Sequence, residues 1–231
     1  MICEIIKIIE RKIIMRSKFD EQLSELNNEM IQMGQDIVES ISMAIEALSE
    51  KDENKARIIM EGDEKIDHLQ KKIESICFNL LIQQQPVAKD LRTVTAAMKM
   101  VTDMERIGDH AADISEITIL MGKNSQIEKF DHIKKMASET MLMLNHSIEA
   151  YVEKDEIKAK EVILHDDVVD ELFNEAKRDI IKLILDNSTE GEDATDLLMV
   201  AKYFERIGDH ATNIAEWVIF SLRKSEDESF I

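Results

Sequence analysis

The feature that most limits what this chain can fold into is a repeat. Glu105 to Glu116 reads ERIGDHAADISE, and one hundred residues later Glu205 to Glu216 reads ERIGDHATNIAE, identical at nine of twelve positions. A second match, at an offset of 103, pairs Ile45 to Asp67 (IEALSEKDENKARIIMEGDEKID) with Ile148 to Asp170 (IEAYVEKDEIKAKEVILHDDVVD), identical at eleven of twenty-three. The fold must therefore be one that about one hundred residues build and then build again. Because the offsets differ by three residues, one copy has a shorter connection between its second and third segments.

Those segments read as helices. Six Gly and one Pro in 231 residues are too few for the many turns of a sandwich or barrel. Periodicity and breakers predict helices over about Phe19–Ser49, Asn54–Gln83 and Val87–Met121, joined by SEKDE and QQQP. After a Gly122-Lys-Asn-Ser link, the second copy should run Ile127–Val152, Glu156–Leu185 and Asp193–Arg223, with DNSTEGE as its last turn. Short connections between long helices make neighbours antiparallel. The expected fold is all-α: six helices as two tandem, internally duplicated three-helix bundles, over residues 15–121 and 127–224.

Residues 1–14, MICEIIKIIERKII, stand apart. Glu4, Lys7, Glu10, Arg11 and Lys12 break the Ile run, leaving it too short and too charged for a membrane span or a signal peptide. Two readings stay open: an extension or mis-assigned start, with Met15 the real one, or an added amphipathic helix.

Composition decides which partners are excluded. Hydrophobic residues at 44% supply a core, whereas 29 Lys and Arg against 48 Asp and Glu leave a net charge of −19. No basic stripe is present to neutralise phosphates, so nucleic acid is excluded as a partner. Anionic lipid would repel the chain as a whole, so membrane association is expected only through partner proteins. Cys3 and Cys77 form no CxxC pair, and a cytoplasmic location is the expectation.

The acids themselves are patterned. On the third helix of each copy Met104, Ile107, Ala111 and Ile114, and Phe204, Ile207, Ala211 and Ile214, recur at core spacing. At about 100° per residue, Glu105, Asp109, Asp113 and Glu116 fall nearly opposite, as do Glu205, Asp209, Asn213 and Glu216. They are expected to form a stripe pointing away from the core. The second helices add Asp63 with Asp67, and Asp166 with Asp170.

Like charges four residues apart are mildly unfavourable on a helix, which makes their recurrence informative. Two carboxylates about 6 Å apart repel by roughly 0.7 to 3 kcal/mol across the dielectric range from water to protein surface. A solvated acidic face is the plain alternative, but four together in both copies point to a counter-cation. All-oxygen donors suit Mg²⁺, Ca²⁺, Mn²⁺ or iron. Gly108 and Gly208 cost about 1 kcal/mol each against Ala in a helix, and either leave room for an ion or let a helix approach closely. His110 and His210 lie between stripe and core and read better as packing or hydrogen-bonding residues than as ligands. Arg106 and Arg206 are placed to offset the stripe or bridge to a neighbouring helix.

Catalysis finds little support. None of the six His has a Glu three residues before it, as a ferritin-like di-iron site would require. There is no phosphate-cradling glycine loop, no Gly-x-Ser-x-Gly elbow and no paired Cys and His. The chain is not expected to be an enzyme; a metal-storage protein and a metal-dependent hydrolase of helical-bundle type are the competing readings.

The doubled ERIGDHA motif, the DxxxD pairs and QQQPVAKDLR before the first motif resemble the PhoU family of phosphate-uptake regulators, over about Met15 to Leu222. The resemblance implies two three-helix bundles that bind divalent or multinuclear metal (iron, Mn, Zn, Mg or Ca). Carried over by position, it implicates Asp63, Asp67, Glu105 and Asp109 in one site, and Asp166, Asp170, Glu205 and Asp209 in the other. Tyr203 stands where the first copy has Asp103, and Asn213 where it has Asp113, so the two sites need not hold the same ions. The role implied is negative regulation of the phosphate-starvation response and modulation of phosphate uptake. Such proteins link the ATP-binding subunit of the Pst transporter to a PhoR-type sensor kinase at the inner membrane, and are often homodimers.

Overall fold

The computed structural model describes residues 2–84, 86–121, 131–186 and 191–223. They form six helices: α1 Ile2–Glu50, α2 Glu53–Gln84, α3 Ala88–Met121, α4 Asp131–Glu153, α5 Glu156–Asp186 and α6 Gly191–Leu222. The all-α expectation holds, and among the described residues there is no strand. The backbone of the Ile-rich start is helical from Ile2 and continues into α1. The Gly122–Ser125 link, residues 127–130 of the expected fourth helix, Gln85 and residues 187–190 lie outside the described residues.

The stretch matched between copies ends each first helix in the same way. Lys51 and Lys154 take the left-handed conformation, with φ of 55° and 59°. The amide of Asp52 then donates to the Ala47 carbonyl at 3.0 Å, and that of Asp155 to Ala150 at 2.9 Å, the Schellman closure of a helix C-terminus. The same aspartates start the next helix: Asp52 Oδ1 accepts from the amides of Asn54 and Lys55, and Asp155 Oδ1 from those of Ile157 and Lys158. Lys55 Nζ then reaches back to Glu46 and Glu50, as Lys158 does to Glu149 and Glu153. One short sequence thus stops a helix, caps the next and ties the two together.

The expected core face of the third helices is confirmed, with Met104, Ile107, Ala111, Ile114 and their counterparts Phe204, Ile207, Ala211 and Ile214 fully buried. The buried apolar residues form one cluster drawing on all six helices. Its most extensive interface is between α3 and α6, one from each copy, and α1 also meets α4. Gly34 marks that second crossing, since a Cβ there would collide with Ile148 Cδ1. With α6 and α1 on its other sides, α3 receives α2 along its acidic flank.

Candidate metal centres

The acids lie on the flank away from the apolar core, as expected. α3 and α6 are central helices, so part of that flank is covered by α2 or α5. The Glu105 and Glu205 side chains are only 18% and 16% exposed. Asp63, Asp67, Asp109 and Asp166 are half-buried, whereas Asp170 and Asp209 stay exposed. Glu116 and Glu216, at the far end of the stripe, are exposed as well.

The two glycines set this geometry. A Cβ on Gly108 would lie 3.0 and 3.1 Å from Ile66 Cδ1 and Cγ2 and 3.5 Å from Asp63 Oδ1. On Gly208 it would lie 3.1 Å from Asp166 Oδ1 and 3.4 Å from Val169 Cγ1. The glycines therefore let the second helix approach closely: Ile66 is nearest Gly108 with Asp63 next, and Asp166 is nearest Gly208.

The electrostatic result is alike in both copies. Burial pushes the Asp63 carboxyl up to about 6, reinforced by the charges of Asp109, Asp67, Glu105 and Asp113. Burial pushes Asp166 up to about 6 as well, reinforced by Asp209, Asp170 and Glu205 and offset in part by Thr212. Glu105 and Asp209 are raised too, each chiefly by burial. In each copy one aspartate, Asp63 or Asp166, is thus pressed between helices where the charges of neighbouring acids are felt.

Neighbouring cations answer the charge differently in the two groups. Arg106 Nη1 donates to Asp109 Oδ2 at 3.0 Å, and its Nε lies 3.6 Å from Glu105 Oε2. In the second copy Lys202, which replaces Thr102, pairs with Glu205 and lies over the Phe173 ring. Among the described residues no three His, Cys, Asp or Glu side chains converge on one point as ion ligands would. The donor chemistry nonetheless fits a hard cation: all oxygen, mutually repelling and partly desolvated. In the second copy Thr212 Oγ1, where the first copy has Ala112, is buried beside Asp166 without a satisfactory hydrogen bond.

Two further differences between the copies, at positions 103 and 203 and at 113 and 213, lie at the seam between α3 and α6. His210 Nδ1 is 2.8 Å from Asp103 Oδ1, which also accepts from Asn213 Nδ2 at 3.2 Å. His110, 8% exposed, has Nδ1 3.3 Å from Asp113 Oδ2, and its ring centroid is 5.3 Å from that of Tyr203 and 5.7 Å from that of His210. Burial lowers the His110 pKa, and the contact to Asp113 offsets this only in part. Tyr203 and Asn213 therefore mark a cross-copy contact, and both histidines serve in packing and hydrogen bonding, as their place on the helix wheel implied. This seam was missed in the sequence, although the signal was there: positions 103 and 203, and 113 and 213, differ within or beside an otherwise repeated motif.

Comparison with known proteins follows the repeat. The model of the PhoU domain matches twice, over residues 30–118 and 133–218. A phosphate-specific transport system accessory protein PhoU homolog from Clostridium acetobutylicum is 37% identical over 206 residues, covering 89% of this chain and 94% of the relative. One from Aquifex aeolicus is 34% identical over 189 residues, covering 82% and 86%. Among solved structures, PhoU from Pseudomonas aeruginosa superposes with a TM-score of 0.83 at 28% identity, covering 89% of this chain and 99% of that one. The phosphate transport system regulatory protein PhoU from Streptococcus pneumoniae gives a TM-score of 0.80 at 30% identity, covering 88% and 96%.

Proposed function

The chain belongs to the PhoU family, and on that premise we propose that it is a negative regulator of the phosphate-starvation response that modulates phosphate uptake. It acts as an adaptor between the ATP-binding subunit of a Pst transporter and a PhoR-type sensor kinase, without reaction chemistry of its own. Relatives named as accessory proteins of phosphate-specific transport, matched along nearly their whole length, support the regulatory part. Among the described residues no helix is long and apolar enough to cross a membrane. Association with the inner membrane from the cytoplasmic side, as a homodimer, then runs through these partners.

The metal part rests on one observation: each copy gathers four carboxylates with one aspartate pushed up to about 6 by burial and by the other three. Asp63, Asp67, Glu105 and Asp109 would hold a divalent cation or small cluster in the first copy. Asp166, Asp170, Glu205 and Asp209 would hold another in the second, with Thr212 a further oxygen. The bound cation supplies positive charge that neutralises the acids. Drawing the second helix and the third together, the acids then fix the outer surface that a partner reads.

Deletion of the gene, followed by phosphate uptake in high phosphate, tests the regulatory reading. Uptake and starvation-gene expression should rise and return to normal with the intact chain, but not with the Asp109→Ala, Asp209→Ala double variant. Unchanged uptake and expression on deletion contradict the regulatory reading, and full rescue by the double variant contradicts the metal part.

A further inference from the structure

One carboxylate group lies between α2 and α3 and the other between α5 and α6, and what joins them is the α3–α6 seam. Asp103 lies two residues before Glu105 on α3, and His210 one residue after Asp209 on α6. The 2.8 Å contact between His210 Nδ1 and Asp103 Oδ1 therefore links the two backbone segments that carry the two sites. A second link runs the other way. Asp113, whose charge is felt at Asp63, lies against His110, and the His110 ring faces His210, whose charge is felt at Asp209. Tyr203 and Arg206 of α6 close the seam around His110.

We infer that His110 and His210 are positioning residues that couple the two carboxylate sites, so that a divalent cation held in one copy tightens binding in the other. The inference rests on the metal reading above. Were Asp109 and Asp63 drawn together on a bound cation, α3 would shift, and Asp103 and His110 would move with it. Through the seam contacts α6 is held in the matching orientation, so ordering this interface once serves both sites. The divergence at positions 103 and 203 gives the seam one strong charge-assisted bond where strict symmetry would oppose two carboxylates to two histidines, or two tyrosines.

Spatial connection alone does not establish coupling, so the test is a double-mutant cycle on the whole chain with Mn²⁺ as the probe. Removing the second site with Asp166→Ala plus Asp209→Ala should weaken Mn²⁺ binding at the first by about five- to tenfold. In a His210→Phe background the same removal should change the first site by less than about twofold. His210→Asn, which keeps an N–H donor near the place of Nδ1, should restore most of the dependence. An equal drop with and without His210, or no drop at all with Mn²⁺ bound, overturns the coupling while leaving the metal sites standing. Absence of Mn²⁺ binding in every variant overturns both.

Discussion

The two copies agree in what builds a helix and differ in what touches the other copy. The turn of Lys51 and Asp52 and that of Lys154 and Asp155 match bond for bond. The glycines at 108 and 208 seat an aspartate in the same way, and both aspartates are driven to about 6. At the seam, by contrast, Asp103 opposes His210 while Tyr203 opposes His110. Strict repetition would set an aspartate against a histidine twice; Tyr203 in place of the second aspartate leaves one such pair and packs against His110. Further differences fall beside the carboxylates, where Lys202 and Thr212 stand in place of Thr102 and Ala112.

The comparison breaks most visibly in the core. Phe204 and Met104 occupy equivalent, fully buried places. Phe204→Ala should cost about 3 to 5 kcal/mol and Met104→Ala about 2 to 5. Because both copies share one core, each variant should lower a single urea unfolding transition. Two separated transitions would show bundles that fold independently.

A smaller effect separates the carboxylate groups from the rest of the charge. Asp63 and Asp166, each at about 6 in the folded chain, compare with about 3.9 when unfolded. Between those values the folded chain binds more protons than the unfolded one. The contribution of these two groups to stability therefore falls as pH rises from about 4 to about 6, and is flat above. In chelator-treated protein the urea midpoint should rise on going from about pH 7 to about pH 5, and Asp63→Asn and Asp166→Asn should each remove a similar share of that rise. A rise untouched by either variant would mean that the two aspartates are not the strained acids.

The turns should give the smallest change. Lys51→Gly and Lys154→Gly remove the cost of a left-handed side-chain-bearing residue, less the entropy that Gly adds to the unfolded chain. Each should stabilise by about 0.5 kcal/mol, equally in both copies. An unequal pair in urea titration would show that the turns, alike in their hydrogen bonds, differ in strain.

Most of the fold was legible in the sequence because it is local. The 3.6-residue spacing of Met104, Ile107, Ala111 and Ile114 fixes the buried face whatever the neighbours are, and the EKDE matches mark the turns. The shared flank of each acidic pair was legible for the same reason, since spacing of four places both members on one side of their helix. What a single helix cannot tell is what covers that flank. α3 is flanked on several sides, so the Glu105 and Asp109 part of the stripe is partly covered by α2 while Glu116 stays exposed. The seam was illegible because the partner of Asp103 lies 107 residues away, and no periodicity connects the two.

On the proposed function, each copy carries its own carboxylate metal site. Bound metal in whole protein equilibrated with excess Mn²⁺ tests it, comparing the intact chain with Asp63→Ala plus Asp109→Ala, with Asp166→Ala plus Asp209→Ala, and with all four substitutions together. Each pair should abolish the ions of its own copy at saturation and leave those of the other, and the four together should abolish binding. Unchanged metal content in the fourfold variant, or no bound metal in the intact chain, would contradict the account.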